Sequence, residues 1–346
     1  MSKTIIIGGK EIGDSLPTYV VAEIGLNHNG RLETAIKLID KAKECGADAV
    51  KFQKRDLQAI YKEDILKDPN KDSQATVYLF NIFKRFELSK SDFRKIKKYC
   101  DKIGITFFCT PFDLISAEFL EELNVPFYKV SSADLTNMVL ISKLVSFKKP
   151  MILSTGMSEI SEIDFTVNFL KKKKVTFSLM HCISSYPPSF KDINLKMIDI
   201  LKKRYDVPVG YSGHERGITI SECAVALGAN ILERHFTLDR SMEGPDHNIS
   251  LEPEGLLKMI NRIRIVEQAI GTGEKTITRG ELLSREAFAK SLISKRDIKK
   301  GEKITEEMVD FKVPGKGLSV QMLSKILNKR AKREIKKFDY FNVSDI

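Results

Sequence analysis

The sequence lacks tryptophan, long apolar runs and closely spaced cysteines. None of its apolar runs approaches the ~18 residues that a membrane-spanning helix needs. Residues 1–9 also lack the apolar core of a secretory signal. Five cysteines without a Cys-x-x-Cys pair are typical of free thiols in a reducing compartment. We therefore expect a cytoplasmic protein that has no membrane partner.

The net charge of +11 is unevenly distributed along the chain. Residues 276–346 hold 17 Lys and Arg against 10 Asp and Glu, a net charge of +7, which leaves +4 for the longer remainder. The densest basic run, Lys171 to Lys174, closes a predicted helix, where cations interact favourably with the helix dipole. Basic and aromatic residues do not alternate anywhere, so an anionic small substrate explains the charge as well as a polyanion does. We expect no nucleic-acid partner.

Short apolar runs alternate with helix-like stretches through most of the chain. Eight strand–helix units in about 255 residues predict an α/β protein, and a (β/α)8 TIM barrel rather than an open doubly wound sheet. The predicted helices include Leu32 to Cys45, Ile115 to Leu123, Glu159 to Lys172, Ile218 to Leu227 and Glu254 to Ala269. The predicted strands are Tyr19 to Ile24, Ala49 to Gln53, Ile105 to Thr110, Phe127 to Ser132, Pro150 to Thr155, Thr176 to Cys182, Pro208 to Tyr211 and Ile231 to Thr237.

Two regions depart from this alternation. Residues 55–86 are too long for a plain connection and predict a lid-like excursion above the C-terminal face of the barrel. Near the other end, the polar residues 275–289 predict a linker, and short strands with glycine turns in residues 290–346 predict a small β-rich domain. The barrel itself is expected to span residues 1–274. The basic C-terminal domain is a candidate cover for an anionic site on a partner subunit.

Polar residues cluster where the predicted strands end, at the face where barrel enzymes keep their sites. Lys51 and Lys129 lie inside otherwise buried strands and need anionic partners, because an unpaired buried charge is costly. Together with hydroxyl groups and strand-end amides, they predict a site for phosphate or carboxylate. The other polar residues at strand ends are Glu23, Gln53, Thr110, Ser132, Asp134, Ser154, Ser184, Tyr186 and Ser212.

Histidines concentrate in the stretch from Tyr211 to Glu252, which holds three of the five in the chain. His214 follows one predicted strand and His235 lies in the outgoing half of the next, so parallel pairing would bring both imidazoles to one end of the sheet. Two neutral imidazoles with open positions for water or substrate make a plausible divalent-metal site. The alternative is that both are hydrogen-bonded core residues, since their spacing matches no metal motif.

Seven segments resemble the sialic acid synthase family, which includes N-acetylneuraminate, legionaminate and pseudaminate synthases. The likeness keeps the family's order over nearly the whole chain. It includes a C-terminal part that is similar to the family's antifreeze-like domain, of the SAF or β-clip type. The segments are Ala22 to Gly30, Lys51 to Lys54, Ser154 to Met157, His181 to Pro187, Gly210 to His214, Glu233 to Asp239 and Gly244 to Pro253.

This resemblance implies a reaction, a metal and an assembly. Phosphoenolpyruvate would condense with an N-acetylated amino sugar such as N-acetylmannosamine, releasing phosphate and forming a nine-carbon 2-keto acid such as N-acetylneuraminate. Manganese or magnesium on His214 and His235 would polarise the sugar aldehyde. Family members are domain-swapped homodimers whose C-terminal domain caps the partner's barrel.

The resemblance also assigns roles to single residues. Glu23 and Asp134 match acidic positions that could handle the proton of the attacking water, and they stand with His214 and His235 as the implied catalytic residues. Residues implied to hold phosphate and carboxylate are Lys51, Thr110, Lys129, Ser132, Ser154, Ser184 and Ser212. Residues implied to contact the sugar are Gln53, Tyr186 and Asp246.

Departures from the family pattern leave the sugar open. Val313 stands where many bacterial members have an arginine that reaches the acyl group, and Asp134 is one methylene shorter than the usual glutamate. Ser184 and Gly213 replace a common asparagine and a common aspartate. The alternatives are a legionaminate or pseudaminate synthase that uses a 2,4-diacetamido-trideoxyhexose, or another barrel synthase or aldolase. A non-catalytic basic binding module is the alternative from another class, and the strand-embedded lysines and strand-end histidines argue against it.

Overall fold

A computed structural model describes residues 4–346 of the protein. The chain forms two compact units with their boundary between Gly271 and Thr272. Within the described part of the chain, no helix has both the length and the apolar character needed to cross a membrane.

A closed barrel of eight parallel strands forms the first unit within residues 4–271, which confirms the predicted fold class. An antiparallel hairpin precedes it, made of β1 (Ile5–Ile7) and β2 (Lys10–Ile12). The barrel closes where the last strand, β10, pairs with the first, β3. The barrel strands are β3 (Tyr19–Gly25), β4 (Ala49–Lys54), β5 (Thr106–Pro111), β6 (Tyr128–Val130), β7 (Met151–Ser154), β8 (Phe177–Cys182), β9 (Val209–Gly213) and β10 (Ile231–His235).

Helices connect the strands and cover the outside of the barrel. Local signals set their ends: Ser89 caps the first turn of α5 through its hydroxyl, and Gly104 ends that helix in the left-handed conformation that glycine adopts without strain. The predicted excursion over residues 55–86 contains α2, α3 and α4. The helices of this unit are α1 (Leu32–Glu44), α2 (Leu57–Ile60), α3 (Glu63–Lys67), α4 (Gln74–Phe86), α5 (Lys90–Ile103), α6 (Leu114–Glu122), α7 (Met138–Ser146), α8 (Ile160–Lys172), α9 (Met197–Tyr205), α10 (Thr219–Ala226) and α11 (Pro253–Ile270).

Alternation along the strands divides the barrel interior into two layers. The lower layer, which we call the floor, is apolar and includes the start of each long strand together with the hairpin β1–β2. Burying each such side chain contributes roughly 1.5–3 kcal/mol, so the floor stabilises the barrel. Two residues further along the strands the interior becomes polar. The floor residues are Ile5, Ile7, Ile12, Tyr19, Val21, Ala49, Phe108, Phe127, Ile152, Met180 and Ile231.

The second unit has its own small core and confirms the predicted β-rich domain. Its elements are α12 (Arg279–Phe288), the antiparallel pair β11 (Ser291–Ser294) and β12 (Val309–Lys312), and α13 (Leu323–Ile326). The core is built from Leu292, Ile298, Ile304, Val309, Ile326, Ala331, Ile335 and Phe341.

The structure differs from the prediction in residues 275–289, where a linker was expected and helix α12 is found. Thr278 and Glu281 form a reciprocal capping box at its start, in which each side chain accepts the other's backbone N–H. This Thr-x-x-Glu pattern was a readable signal for a helix. The helix has no buried residue, so its apolar stripe was too weak to outweigh its polar composition.

His28 makes the barrel sensitive to acid. It is fully buried, its ring stacks on Phe52 at 5.9 Å between centroids, and its Nδ1 accepts a hydrogen bond from the Gly30 N–H. Burial lowers the pKa of His28 to about 3. The unfolded chain therefore binds this proton near pH 6.5, and stability falls as the pH drops from about 6.5 towards 3.

We expect the free energy of unfolding to fall by about 2 kcal/mol less between pH 7 and pH 5 in His28→Asn than in the unsubstituted protein. Asparagine supplies a short polar acceptor that does not titrate. Urea titrations at both pH values measure the difference. An identical pH dependence in the two proteins would show that His28 carries no part of the acid sensitivity.

Candidate active site

A cavity of ≈ 500 Å³ opens at the C-terminal end of the barrel strands. The structure brings thirteen of the fourteen predicted site residues into its lining. Because the strands are parallel and closed into a barrel, side chains far apart in sequence point into one space. The thirteen are Glu23, Lys51, Gln53, Thr110, Lys129, Ser132, Ser154, Ser184, Tyr186, Ser212, His214, His235 and Asp246.

Lys51 lies between two buried carboxylates at the base of the cavity. Its Nζ is 3.1 Å from Glu23 Oε1 and 3.5 Å from Glu233 Oε1, and it donates to Thr110 Oγ1 at 3.1 Å. Burial alone would lower the pKa of Lys51, but Glu23 and Glu233 outweigh burial and hold that pKa above its usual value. Lys51 is therefore a charged, internally paired group.

Lys129 is the second lysine of the cavity, and it has a different environment. Its Nζ donates to Ser154 Oγ at 2.5 Å and to the carbonyl of Val130 at 3.3 Å. No aspartate or glutamate in residues 4–346 forms an ion pair with it. Burial consequently lowers the pKa of Lys129. A buried ammonium without a counterion favours binding of an anion.

Glu23 and Glu233 differ in protonation although they share Lys51. Burial raises the pKa of Glu23, even though Lys51 and the Gln53 amide, which donates to Glu23 Oε1 at 2.7 Å, stabilise the carboxylate. Burial also opposes ionisation of Glu233, but Lys129 and Lys51 overcome it and lower the pKa of Glu233 to about 2. Glu23 is thus the acid of the pair that keeps its proton to the higher pH. The second oxygen of each carboxylate, Oε2, is buried without a hydrogen-bond partner.

His214 and His235 face each other across the cavity with ring centroids 5.4 Å apart. The Nδ1 of His214 is 2.8 Å from the carbonyl of Ile183, which fixes that nitrogen as the N–H and leaves Nε2 with a lone pair. Burial lowers the pKa of His235 to about 4, so its imidazole is neutral. The Nδ1 of His235 has no hydrogen-bond partner, and Asp246 Oδ2 lies 3.6 Å away. The ring of Tyr186 packs on His214 at 4.1 Å.

Two imidazoles are the metal-type donors that this site brings together. Within residues 4–346, no group of three or more His, Cys, Asp or Glu side chains is arranged to hold a metal ion. The cavity therefore offers two imidazole nitrogens as ligands, with the remaining coordination positions open to water or substrate oxygens.

Asp134 is the one predicted site residue that the structure keeps out of the cavity lining. Its carboxylate accepts hydrogen bonds from Ser131 Oγ at 2.7 Å and Asn137 Nδ2 at 3.0 Å, within the short turn that leads into α7. These bonds direct the side chain to its own turn. The structure therefore does not bring Asp134 together with the other predicted site residues, and its catalytic role stays a prediction.

Several cavity residues were not predicted. Glu233 precedes His235 by two positions on β10, so strand periodicity alone places both on the inner face. Leu79 and Phe83 come from α4 and are four residues apart, on one face of that helix. The predicted excursion thus contributes to the cavity wall. The lining also includes Leu26, Arg55, Phe112, Ser131, Ala133, Met157, Cys182 and Pro245.

The region of the family arginine lies in the second unit. Val313, which replaces it, exposes 55% of its surface. Lys312 pairs with Asp310 at 3.4 Å, and Lys316 pairs with Glu286 at 3.7 Å. Both lysine side chains are more than half exposed, and surface ion pairs of this kind contribute little.

Fold and site together define the class of protein: a (β/α)8 barrel with a cavity at its C-terminal face that is lined by two buried lysines and two histidines, followed by a small β-rich domain. Comparison with family models narrows the class. The NeuB family model matches residues 38–275, and the SAF domain model matches residues 289–337. The chain belongs to the NeuB family, which confirms the resemblance to sialic acid synthases.

Known proteins are similar over most of the chain. It is 38% identical to human N-acetylneuraminate-9-phosphate synthase, across 88% of this chain and 86% of that protein. It is 39% identical to N,N'-diacetyllegionaminic acid synthase of Campylobacter jejuni, across 92% and 97% of the two chains. The crystal structure of N-acetylneuraminic acid (sialic acid) synthetase from Leptospira borgpetersenii, in complex with citrate, is similar with a TM-score of 0.75 and 37% identity. That similarity covers 82% of this chain and 95% of the other.

Proposed function

We propose that the protein is an enzyme that condenses phosphoenolpyruvate with an N-acetylated amino sugar, N-acetylmannosamine or a relative, to a nine-carbon 2-keto acid. The observation that carries the proposal is the juxtaposition of Lys51 and Lys129 with two facing histidines in one cavity. The names of the similar synthases support it. In the reaction, the methylene carbon of the enol forms a bond to the aldehyde carbon. Water then adds to the former enol carbon, and phosphate leaves.

The residues at the base of the cavity suit phosphoenolpyruvate. Lys129 has no direct ion pair within the described chain, and Lys51 shares its charge between two carboxylates, so the phosphate and carboxylate of a ligand can accept hydrogen bonds from both ammonium groups. Hydroxyls of Thr110, Ser154 and Ser212 surround the two ammonium groups and can donate to the same oxygens. Charge that develops on the former enol carbon is positive, so nearby carboxylates stabilise it.

Glu23 is the residue that we propose to take the proton of the attacking water. Its raised pKa places a protonatable carboxyl in the cavity, and its Oε2 has no partner in the protein. Asp134, held by Ser131 and Asn137, lies outside the cavity lining.

A divalent cation, Mn²⁺ or Mg²⁺, fits His214 and His235. The fit depends on a neutral, unpartnered Nδ1 on His235 and on a free Nε2 on His214, both on facing rings. Bound there, the cation would supply Lewis-acid polarisation of the sugar aldehyde. Gln53, Tyr186 and Asp246 line the same cavity and would orient the sugar.

The decisive experiment measures phosphate release and 2-keto acid formation from phosphoenolpyruvate with N-acetylmannosamine, with and without Mn²⁺. We expect both products in equal amounts and only in the presence of both substrates. Chelation should stop the reaction and Mn²⁺ should restore it. Absence of keto acid with every acylated hexosamine tested would contradict the proposal.

A second acceptor class has a specific observation in its favour. The identity to a diacetyllegionaminic acid synthase, 39%, is nearly the same as the 38% identity to an N-acetylneuraminate-9-phosphate synthase. A 2,4-diacetamido-trideoxyhexose, as in legionaminate or pseudaminate synthesis, therefore belongs in the same assay. Higher kcat/KM with that sugar would assign the protein to this branch.

We also propose a homodimer in which the C-terminal domain of one chain covers the cavity of its partner. Helix α12 supports this, because Leu282, Leu283 and Phe288 are each more than half exposed and apolar side chains on one helix favour a protein partner. Sedimentation equilibrium measures the assembly, and a monomer at micromolar concentration would contradict it.

The free thiols of all five cysteines favour a cytoplasmic location.

A further inference from the structure

Arg55 is a buried cation in the wall of the cavity that the reaction described above does not use. It exposes 7% of its surface and lines the cavity together with Phe83 and Phe112. Its guanidinium carbon lies 4.2 Å from the centroid of the Phe83 ring and 3.8 Å from that of Phe112. The planar group is thus stacked between two rings, which leaves its N–H edge for hydrogen bonding.

Not every N–H group on that edge of the Arg55 guanidinium has a hydrogen-bond acceptor. Nη2 donates to Gln53 Oε1 at 2.5 Å, while Nη1 is buried without any hydrogen-bond partner. No ion pair to Arg55 forms within the described chain. Its acidic neighbours have other contacts: Glu87 pairs with Lys54 at 2.5 Å, and Asp246 lies beside His235. Burial lowers the pKa of Arg55 despite Glu87, Asp246 and Glu23. A buried guanidinium with an unused N–H favours an oxygen-rich anion.

The position of Arg55 separates it from the lysine site. Lys51, Gln53 and Arg55 follow each other at every second residue of β4 and just beyond it, so they share the inner face. Arg55 follows Lys51 by four residues, which is roughly 13 Å along the tilted strand in the direction of the cavity mouth. A six-carbon chain whose aldehyde lies near the histidines would reach towards Arg55 with its other end.

Overall similarity does not decide what that end carries. The two relatives of nearly equal identity are named for a phosphorylated product and for an unphosphorylated one. Three product carbons come from phosphoenolpyruvate, so a phosphate on carbon 9 of the product originates on carbon 6 of the sugar. The chemistry around that carbon in this cavity is therefore informative.

We propose that Arg55 forms a second anion subsite of the cavity, which takes an oxyanion carried by the acceptor sugar at the carbon farthest from its aldehyde. This inference rests on the proposed function and specifies its acceptor class. A phosphate ester and a carboxylate at carbon 6 share the required chemistry, because either presents two oxygens to a guanidinium edge.

The test compares three acceptors in the full-length protein: N-acetylmannosamine, its 6-phosphate, and N-acetylmannosaminuronate. The readout is kcat/KM for 2-keto acid formation. We expect the unsubstituted protein to prefer one of the two charged sugars, which identifies phosphate or carboxylate as the group bound. Arg55→Met should lower the ratio of kcat/KM for that sugar to kcat/KM for N-acetylmannosamine about 10- to 100-fold, because any effect that acts through Gln53 is common to all three acceptors. Arg55→Lys should recover part of the loss, since it restores charge without the planar fork.

Arg94→Met is the matched control. Arg94 also stacks on an aromatic ring, 5.2 Å from the centroid of Phe119, and pairs with Glu122 at 3.6 Å, but it lies on α5 outside the cavity. We expect it to change none of the three values. Equal losses with all three acceptors in Arg55→Met would overturn the subsite and show that Arg55 only positions Gln53. Preference of the unsubstituted protein for N-acetylmannosamine would overturn it as well.

Calorimetric titration separates this inference from the proposed reaction. If no acceptor is turned over, N-acetylmannosamine 6-phosphate and the uronate can still be titrated into the unsubstituted protein and Arg55→Met. Binding of either that weakens about 10-fold or more in the variant supports the subsite. Unchanged binding of both, or no binding to either protein, overturns it.

Discussion

Alanine at His214 or at His235 is expected to lower kcat for keto acid formation by about 1,000-fold or more, with the barrel still folded. Each substitution removes one of the two nitrogen ligands proposed for the cation, and the described chain arranges no third side chain to replace it. Both rings line the cavity and belong to no apolar core cluster of the described residues, so we expect their loss to leave the barrel folded. Mn²⁺ binding followed by electron paramagnetic resonance should weaken in parallel, independently of turnover.

His181→Ala serves as the control for this pair. His181 also lies at the end of a barrel strand, but its Nε2 is 2.6 Å from the carbonyl of Ile193, and it is absent from the cavity lining. We expect a lower melting temperature and nearly unchanged kcat and Mn²⁺ affinity. If His214→Ala or His235→Ala bound Mn²⁺ and turned over like the unsubstituted protein, the metal assignment would be wrong.

Lys51→Met and Lys129→Met are expected to differ in their effect on the free energy of unfolding, while both raise KM for phosphoenolpyruvate. Lys51→Met leaves Glu23 and Glu233 buried together without their shared cation, which should lower the free energy of unfolding by about 3–5 kcal/mol. Lys129→Met removes a buried ammonium that forms no direct ion pair but stabilises the Glu233 carboxylate at longer range, so it should lower the free energy of unfolding by less than Lys51→Met does. Both variants should raise KM for phosphoenolpyruvate by more than about 10-fold, because each removes a charged hydrogen-bond donor.

Urea unfolding and initial rates measure the two effects independently. Lys54→Met provides a comparison, since Lys54 neighbours Lys51 in sequence but pairs with Glu87 on the outer side of β4 and does not line the cavity. It should cost stability and leave KM for phosphoenolpyruvate within about 2-fold. A Lys129→Met variant destabilised as much as Lys51→Met, or an unchanged KM in both cavity variants, would contradict the assignment of the lysines.

Strand periodicity explains why most of the barrel and its site could be predicted from sequence. A buried parallel strand is short, apolar and bounded by turns, so the strands β3 and β10 were recognisable within two residues of their ends. Closure of the barrel then places strand-end residues such as Lys51 and Lys129 together without further information. The prediction of a shared anion site followed from this geometry and from the cost of burying a charge.

The sequence did not predict the positions of side chains that can contact alternative partners near them in the fold. Asp134 was expected in the cavity, but a carboxylate this short finds Ser131 and Asn137 first. Glu233 was overlooked although its spacing from His235 placed it inside, because a buried acid next to two lysines looks like a structural partner. Arg55 lay in a stretch whose fold the alternation pattern did not determine, and only the packing of Phe83 and Phe112 shows that it is buried.

The hairpin β1–β2 and the apolar floor seal one end of the barrel. The cavity is therefore closed at the floor and open at the C-terminal end of the strands. The ligand that binds deepest has to bind first and dissociate last. A ligand held by Lys51 and Lys129 would be trapped beneath a sugar that occupies the space above it. We therefore expect ordered sequential kinetics in which the acceptor sugar binds second.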